Sequence, residues 1–119
     1  MATNKIEVEG LPAINGGIAS AILTEKKPVF PYTDGKRSSE VPTAWRIGVV
    51  LPGSRFDSLS VRTEGSADPL PAISDEDIVE ACRSKPVVVT FDQLKVTLYT
   101  INGNLVKTGT AAGISIVGK

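Results

Sequence analysis

The chain has 119 residues, which suffice for one domain with a single hydrophobic core and are too few for two ordinary domains. Its 13 basic and 13 acidic residues balance, which excludes a protein that binds duplex DNA through bulk positive charge alone. One cysteine and no histidine exclude an intrachain disulfide framework, a Ser-His-Asp triad and a metal site built on histidine.

The first half of the chain predicts strands on either side of one long irregular stretch. Residues 5–9 alternate charged and β-branched side chains, which is typical of a strand and unlike the apolar run of a signal peptide. Residues 17–24 form a short apolar run that is compatible with a strand, whereas three prolines predict an irregular stretch over residues 26–42. Residues 44–51 and 57–63 predict two strands of a hairpin, because turn-forming residues separate them.

A single helix is predicted over residues 74–83. Ser74 is a favourable N-cap, and three acidic residues follow it in the first turn, where the helix dipole favours negative charge. Arg83 lies at the opposite end, where the dipole favours a cation, and Pro86 prevents the helix from continuing. Cys82 falls on the apolar side of this helix, so we expect it to be a small buried side chain.

The last third of the chain predicts further strands. Asn102-Gly103 is the strongest short hairpin signal in the sequence, because this dipeptide favours the tight turns that join antiparallel strands. The predicted strands cover residues 86–91, 94–101, 105–110 and 113–117.

This order of elements predicts a mainly β protein of the OB-fold class. Five strands with one short helix between the third and the fourth form a five-stranded Greek-key barrel. We predict one such domain over residues 1–119, with an acidic, helix-bearing insert at about residues 64–85. A β-sandwich or an SH3-like barrel explains the strands nearly as well.

The charges are balanced in total but are segregated along the chain. Residues 26–63 carry seven basic and three acidic side chains, and residues 81–119 carry five and one. Residues 64–80, which we call the acidic segment, carry six acidic side chains and no basic one. If the acidic segment lies apart from the remainder, the remaining body presents a basic surface despite the neutral total.

Candidate binding residues combine positive charge with aromatic rings. Single-stranded nucleic acid is bound by cations that follow the phosphates and by rings that stack on the bases. The stretch 26–37 has this composition, Arg46 begins a predicted strand beside Trp45, and Tyr99 lies near the predicted hairpin turn. The predicted nucleic-acid-binding residues are Lys26, Lys27, Phe30, Tyr32, Lys36, Arg37, Arg46 and Tyr99. For Trp45, Phe56 and Phe91 we favour positions in the core.

Four segments follow a known order of hydrophobic and turn positions: residues 45–63, the run VVVTFDQLKV at 87–96, residues 102–104, and residues 111–114. Together they resemble the small OB-fold single-stranded DNA-binding proteins of filamentous phages and related short proteins of bacterial conjugative and other mobile elements. The resemblance covers about residues 30–117. It implies a homodimer that coats single-stranded DNA without sequence preference during replication or transfer. The present chain departs from the phage proteins in its greater length, its acidic segment and its few aromatic residues.

Two functions of different class remain open. The first is a single-stranded DNA-binding protein of a phage or mobile element. The second is a non-enzymatic interaction or structural module on a small β-barrel, with the acidic segment meeting a partner. Four acidic residues could form a metal or acid–base cluster, but helix capping explains their spacing better: Asp75, Glu76, Asp77 and Glu80. With no histidine and no other catalytic pattern, we expect neither a metal, a cofactor nor an enzyme. We expect a cytoplasmic protein, because no apolar run approaches the roughly 20 residues of a transmembrane helix.

Overall fold

A computed structural model describes residues 5–117, which form a mixed eight-stranded sheet, a separate two-stranded hairpin and one α-helix. The strands are β1 (Lys5–Glu9), β2 (Ala21–Val29), β3 (Tyr32–Thr33), β4 (Lys36–Arg37), β5 (Ala44–Leu51), β6 (Asp57–Glu64), β7 (Val88–Asp92), β8 (Lys95–Ile101), β9 (Asn104–Ala111) and β10 (Gly113–Ile116). The helix α1 spans Asp75–Cys82, and two short 3-10 turns span Leu11–Ala13 and Pro52–Ser54.

The strands of the main sheet lie in the order β1-β8-β9-β6-β5-β2-β7-β10. All neighbours are antiparallel except β6 and β9, which run parallel with Ser60 opposite Thr108. The sheet curls strongly into a half-barrel with β1 and β10 as its two edges. The protein is therefore mainly β with one short helix, as predicted, but the predicted closed five-stranded OB-like barrel is wrong.

The barrel prediction fails because more segments pair than five strands allow. β1 pairs with β8, β9 pairs with both β8 and β6, and β10 pairs with β7. These ladders extend the sheet in both directions, and closure would require β1 to pair with β10. The helix does lie in the chain between β6 and β7, where the sequence places it.

The β5–β6 hairpin is confirmed, and its alternating sequence separates an apolar face from a polar one. Ile47, Val49 and Leu51 of β5 are buried, as are Leu59 and Val61 of β6. The side chains that alternate with these apolar residues point to the other face of the sheet, because successive residues of a strand face opposite ways. We call that opposite, polar surface of the sheet the outer face; the core lies against the inner face.

The helix completes the core from the inner side. Ile78 is fully buried in the same cluster as the apolar residues of β2, β5 and β6. Ser74 caps the helix: its hydroxyl accepts the Asp77 N–H at 3.2 Å, and the Asp77 carboxylate accepts the Ser74 N–H at 3.1 Å. The predicted helix over residues 74–83 is confirmed, with Ser74 as its N-cap and Arg83 as its C-cap.

Cys82 is exposed, so the expectation that it is buried is wrong. Ile78, one turn earlier, fills the space against the sheet. Cys82 closes the last turn of α1, where its Sγ lies 3.5 Å from the Leu23 carbonyl oxygen while the remainder of the residue faces solvent.

Strand β2 extends further than the sequence predicts, because residues 26–29 continue it instead of beginning an irregular stretch. An irregularity between Leu23 and Glu25 shifts its register against β5. Pro28 is tolerated near the end of the strand, since β7 pairs only with the first two residues of β2 and leaves its later part with a single ladder.

Candidate nucleic-acid interface

Residues 30–43 connect β2 to β5, and we call them the arm. Its strands β3 and β4 pair antiparallel around a tight turn at Asp34 and Gly35, whose φ angles are 53° and 78°. Two successive positive φ angles define the turn type that Asp-Gly favours in two-residue hairpins. Part of the predicted irregular stretch is therefore a small hairpin, which separates from the main sheet.

The arm brings four of the predicted binding residues together. The Arg37 guanidinium stacks over the Phe30 ring at 3.8 Å from its centroid, and its Nη1 lies 3.7 Å from Glu40 Oε2. Tyr32 lies opposite Arg37 in the β3–β4 register and is 63% exposed, and Lys36 is also exposed. One open aromatic ring thus lies beside two cations, one of which is already held by a second ring.

Lys26 has a different environment from the one its sequence neighbours suggest. It is 6% exposed, and its ammonium donates to Asp68 Oδ2 at 2.8 Å and to the carbonyls of Leu70 and Ile73 at 2.9 and 2.5 Å. The Nζ also lies 5.6 Å from the centroid of the Trp45 ring. Since an ammonium has three protons to donate, Lys26 is fully engaged in anchoring the acidic segment.

Lys27 lies on the outer face and remains half exposed. Its Nζ is 3.3 Å from Asp75 Oδ2, and Asp75 Oδ1 accepts the backbone N–H of Lys26 at 3.0 Å. The acidic segment therefore packs against the part of β2 that β7 leaves unpaired. It does not stand apart from the first basic block, because the opposite charges attract each other.

Arg46 projects from the outer face of β5, directly opposite Arg62 of β6. Arg46 Nη2 lies 3.5 Å from Glu25 Oε1, and Arg62 Nε lies 2.5 Å from Glu64 Oε2. Both arginines line a groove of about 410 Å³ on this face. The groove also presents three hydroxyl groups, from Ser60, Thr108 and Thr110.

Tyr99 lies on the same face of the sheet but far from the arm across the strands. Along β8, Val96 is buried towards the core, so the alternating residues Lys95, Thr97 and Tyr99 face outwards. Two strands, β9 and β6, separate β8 from β5. The predicted binding residues are thus divided between the arm, the outer face near Arg46, and the distant position of Tyr99.

Three further residues share the outer face with Arg46 but were not among the predicted binding residues: Arg62, Lys95 and Thr110. Arg62 was accessible from the sequence, because its place in the alternating strand 57–63 puts it among the polar side chains. Lys95 and Thr110 were not, since their proximity to Arg62 depends on the parallel pairing of β6 with β9 and on the β8–β9 ladder.

The acidic cluster at the start of α1 is accounted for by the helix itself. Hydrogen bonds from Ser74, chiefly from its backbone N–H, lower the pKa of the Asp77 carboxyl below its ordinary value. In the part of the chain that the structure describes, no group of three or more histidine, cysteine or acidic side chains is arranged to hold a metal ion.

Within residues 5–117, which the structure describes, no helix has the length and apolar character needed to cross a membrane. The position of α1 against the sheet is fixed by Ile78 and by the contact of Asp75 with β2.

Comparisons of the chain with protein-family models, with curated proteins and with solved structures found no match.

Proposed function

We propose that this protein binds single-stranded DNA without sequence preference, using the arm and the outer face of the sheet. The observation that carries the proposal is the arm: the open Tyr32 ring lies beside Lys36 and beside the Arg37 guanidinium that stacks on Phe30. An aromatic ring stacks on any base, and neighbouring cations bind the phosphates that flank it.

The outer face supports the same function. Arginine guanidinium groups and serine or threonine hydroxyls are the usual donors to phosphate oxygens, and the groove between Arg46 and Arg62 combines both kinds. Lys26 takes no part in the proposed contacts, because its protons are donated within the protein.

The resemblance to phage and mobile-element proteins adds the biological setting. We propose that the protein coats single strands during replication or transfer in the cytoplasm, as a homodimer. DNA rather than RNA is proposed on this resemblance, since stacking and phosphate contacts serve either polymer.

The proposal is tested by titrating the purified protein with a fluorescent oligo-dT at low and at moderate salt. Base stacking is worth about 1–3 kcal/mol per base, so Tyr32→Ala is expected to weaken binding by roughly five-fold or more. Replacing Lys36 and Arg37 together by alanine is expected to flatten the salt dependence, because fewer counterions are released on binding.

Phe56→Ala is the matched control. The expectation that Phe56 lies in the core is wrong, because Phe56 is 62% exposed at the β5–β6 turn, at the opposite end of these strands from the arm. We expect it to bind oligo-dT like the parent. If the parent does not bind at low salt, or if Tyr32→Ala binds as tightly as Phe56→Ala, the proposed binding by the arm is wrong. Absence of binding by the parent would favour the interaction module, with the exposed acidic residues of α1 as its contact surface.

A further inference from the structure

A line of cations crosses the sheet at right angles to its strands. In the register of the sheet, Lys27 lies opposite Arg46, and Arg46 lies opposite Arg62. Arg62 then lies opposite Thr110, and Thr110 lies opposite Lys95. Five neighbouring strands, β2, β5, β6, β9 and β8, thus contribute one residue each to the same line. We call Lys27, Arg46, Arg62 and Lys95 the cation row.

The cation row has the dimensions of an extended binding track. Neighbouring strands lie about 4.8 Å apart, so four spacings place its ends about 19 Å from each other along the sheet. Near one end, the β2–β5 ladder finishes two residues later and continues into the arm. Tyr99 also faces outwards, but it lies four residues from Lys95 along β8, about 13 Å from the row on the side away from the arm.

Sheet stability does not account for the part of the row that runs from β2 to β6, whereas Lys95 lies opposite Glu9 of β1, which is a favourable cross-strand pair. Like charges directly opposite each other destabilise a sheet, and the row contains two such pairs, Lys27 with Arg46 and Arg46 with Arg62. Carboxylates from Asp75, Glu25 and Glu64 accompany these three cations. Every partner in these ion pairs is more than one third exposed, so the pairs contribute little to stability and can exchange with phosphate oxygens.

Lys95 differs from the other three cations. Among residues 5–117, no carboxylate lies within ion-pair distance of its ammonium. It borders a second groove of about 670 Å³, which shares Arg62 and Thr110 with the groove beside Arg46. The two grooves therefore follow the cation row from β5 to β8.

A second line of small polar side chains runs beside the cation row. Gly48 lies opposite Ser60, Ser60 lies opposite Thr108, and Thr108 lies opposite Thr97. Ser60, Thr108 and Thr97 offer hydroxyl donors to phosphate oxygens, whereas the side chains of Thr24 and Glu25 lie over Gly48.

Resting on the proposed function, we infer that the single strand crosses the sheet perpendicular to the β-strands. Its phosphates lie along the cation row, and its bases meet the arm at the β2 end of the row. This path assigns phosphate contacts to Arg62 and Lys95.

The test measures oligo-dT affinity as a function of salt for Arg62→Gln, Lys95→Gln and the double variant. For single strands, each lost phosphate contact reduces the slope of log K against log salt by about 0.7. We expect each single variant to show this reduction and the double variant to show about twice as much. Arg62→Lys, which keeps the charge, is expected to retain the parent slope.

Arg83→Gln and Lys85→Gln are matched controls, because they remove the same charges from exposed positions at the end of α1. We expect both to keep the parent slope. If the parent binds while Arg62→Gln and Lys95→Gln behave like these controls, the path along the row is wrong and the proposed function stands. If the parent fails to bind at low salt, the proposed function and the path are both wrong. Unchanged thermal unfolding of the variants shows that the lost contacts are to the ligand.

Discussion

Lys26 and Lys27 are neighbours in the sequence but have different roles in the structure. Alternation along β2 turns Lys26 towards the interior, where Asp68 and two carbonyl groups receive its protons. Lys27 faces outwards, and within residues 5–117 its ammonium has one ion-pair partner, Asp75, at 3.3 Å. Burial therefore makes the first lysine part of the fold and leaves the second available for a ligand.

Replacing Lys26 by methionine is expected to destabilise the protein by roughly 2–3 kcal/mol, because hydrogen bonds to a charged donor are lost and their acceptors remain partly buried. Lys27→Met is the matched control, and we expect it to change stability by about 0.5 kcal/mol or less. Urea unfolding measures both. Equal stability of the two variants would contradict the anchoring role of Lys26.

Glu64 limits the strength of phosphate binding in this account, because its carboxylate holds the Arg62 guanidinium at 2.5 Å. A phosphate must displace it, and exposed pairs of this kind are worth about 0.2–1 kcal/mol. Glu64→Gln is therefore expected to raise oligo-dT affinity by up to roughly five-fold. Glu80→Gln, which frees Arg83 on the helix, serves as the control and is expected to bind like the parent. Weaker binding by Glu64→Gln would contradict the contact of Arg62 with phosphate.

At the scale of elements, the sequence predicts what short-range chemistry determines. The β5–β6 hairpin follows from alternation and a turn, and α1 follows from the Ser74 cap and its acidic first turn. The Asn102-Gly103 turn joins β8 to β9, with φ angles of 51° and 82°. The order of the strands was not predictable in this way, since the parallel contact of β6 with β9 brings together segments that are distant in sequence.

The candidate site likewise has one part that follows from local sequence and one part that depends on long-range contacts. The grouping of Phe30, Tyr32, Lys36 and Arg37 follows from their proximity in the chain, and the structure brings them together in one hairpin. The burial of Lys26 depends on the acidic segment that packs over it. The place of Lys95 in the cation row depends on two ladders: the β8–β9 ladder follows from the Asn102-Gly103 turn, whereas the β6–β9 ladder has no local signal.

One contact between elements makes a separate prediction about stability. The fully buried Asn15 side chain accepts the Gly53 N–H at 2.7 Å and donates to the carbonyls of Ser20 and Ile18 at 2.7 and 3.2 Å. A Cβ at residue 53 would lie 2.1 Å from the Asn15 carbonyl oxygen, so the two backbone segments would have to separate.

Gly53→Ala is therefore expected to destabilise the fold by roughly 1–3 kcal/mol, as overpacking does elsewhere in proteins. Ser54→Ala, in the same 3-10 turn, is the control and is expected to change stability by about 0.5 kcal/mol or less. Thermal or urea unfolding measures the difference. A Gly53→Ala variant as stable as the parent would show that this approach of the two segments is not required.

At the scale of the whole molecule, the half-barrel separates two functions of the sheet. The inner face holds the core with Ile78 of the helix, and the outer face carries the cation row and the hydroxyl groups beside it. The acidic segment covers the unpaired part of β2, where Asp68 neutralises the buried Lys26. A chain with zero net charge thus exposes a surface of basic and hydroxyl side chains, because part of its acidic charge is used within the fold.

We propose that single-stranded DNA binds to the arm and the outer face. Chemical-shift mapping of the isotope-labelled protein with oligo-dT is the most direct measurement of this binding. The account predicts that the largest amide shifts occur in the arm, at residues 30–43, and beside Arg46, Arg62 and Lys95 across the sheet. The amides of the last turn of α1, away from the contact of Asp75 with Lys27, are expected to shift little. Shifts concentrated in α1, or an absence of shifts at saturating oligo-dT and low salt, would contradict the claim.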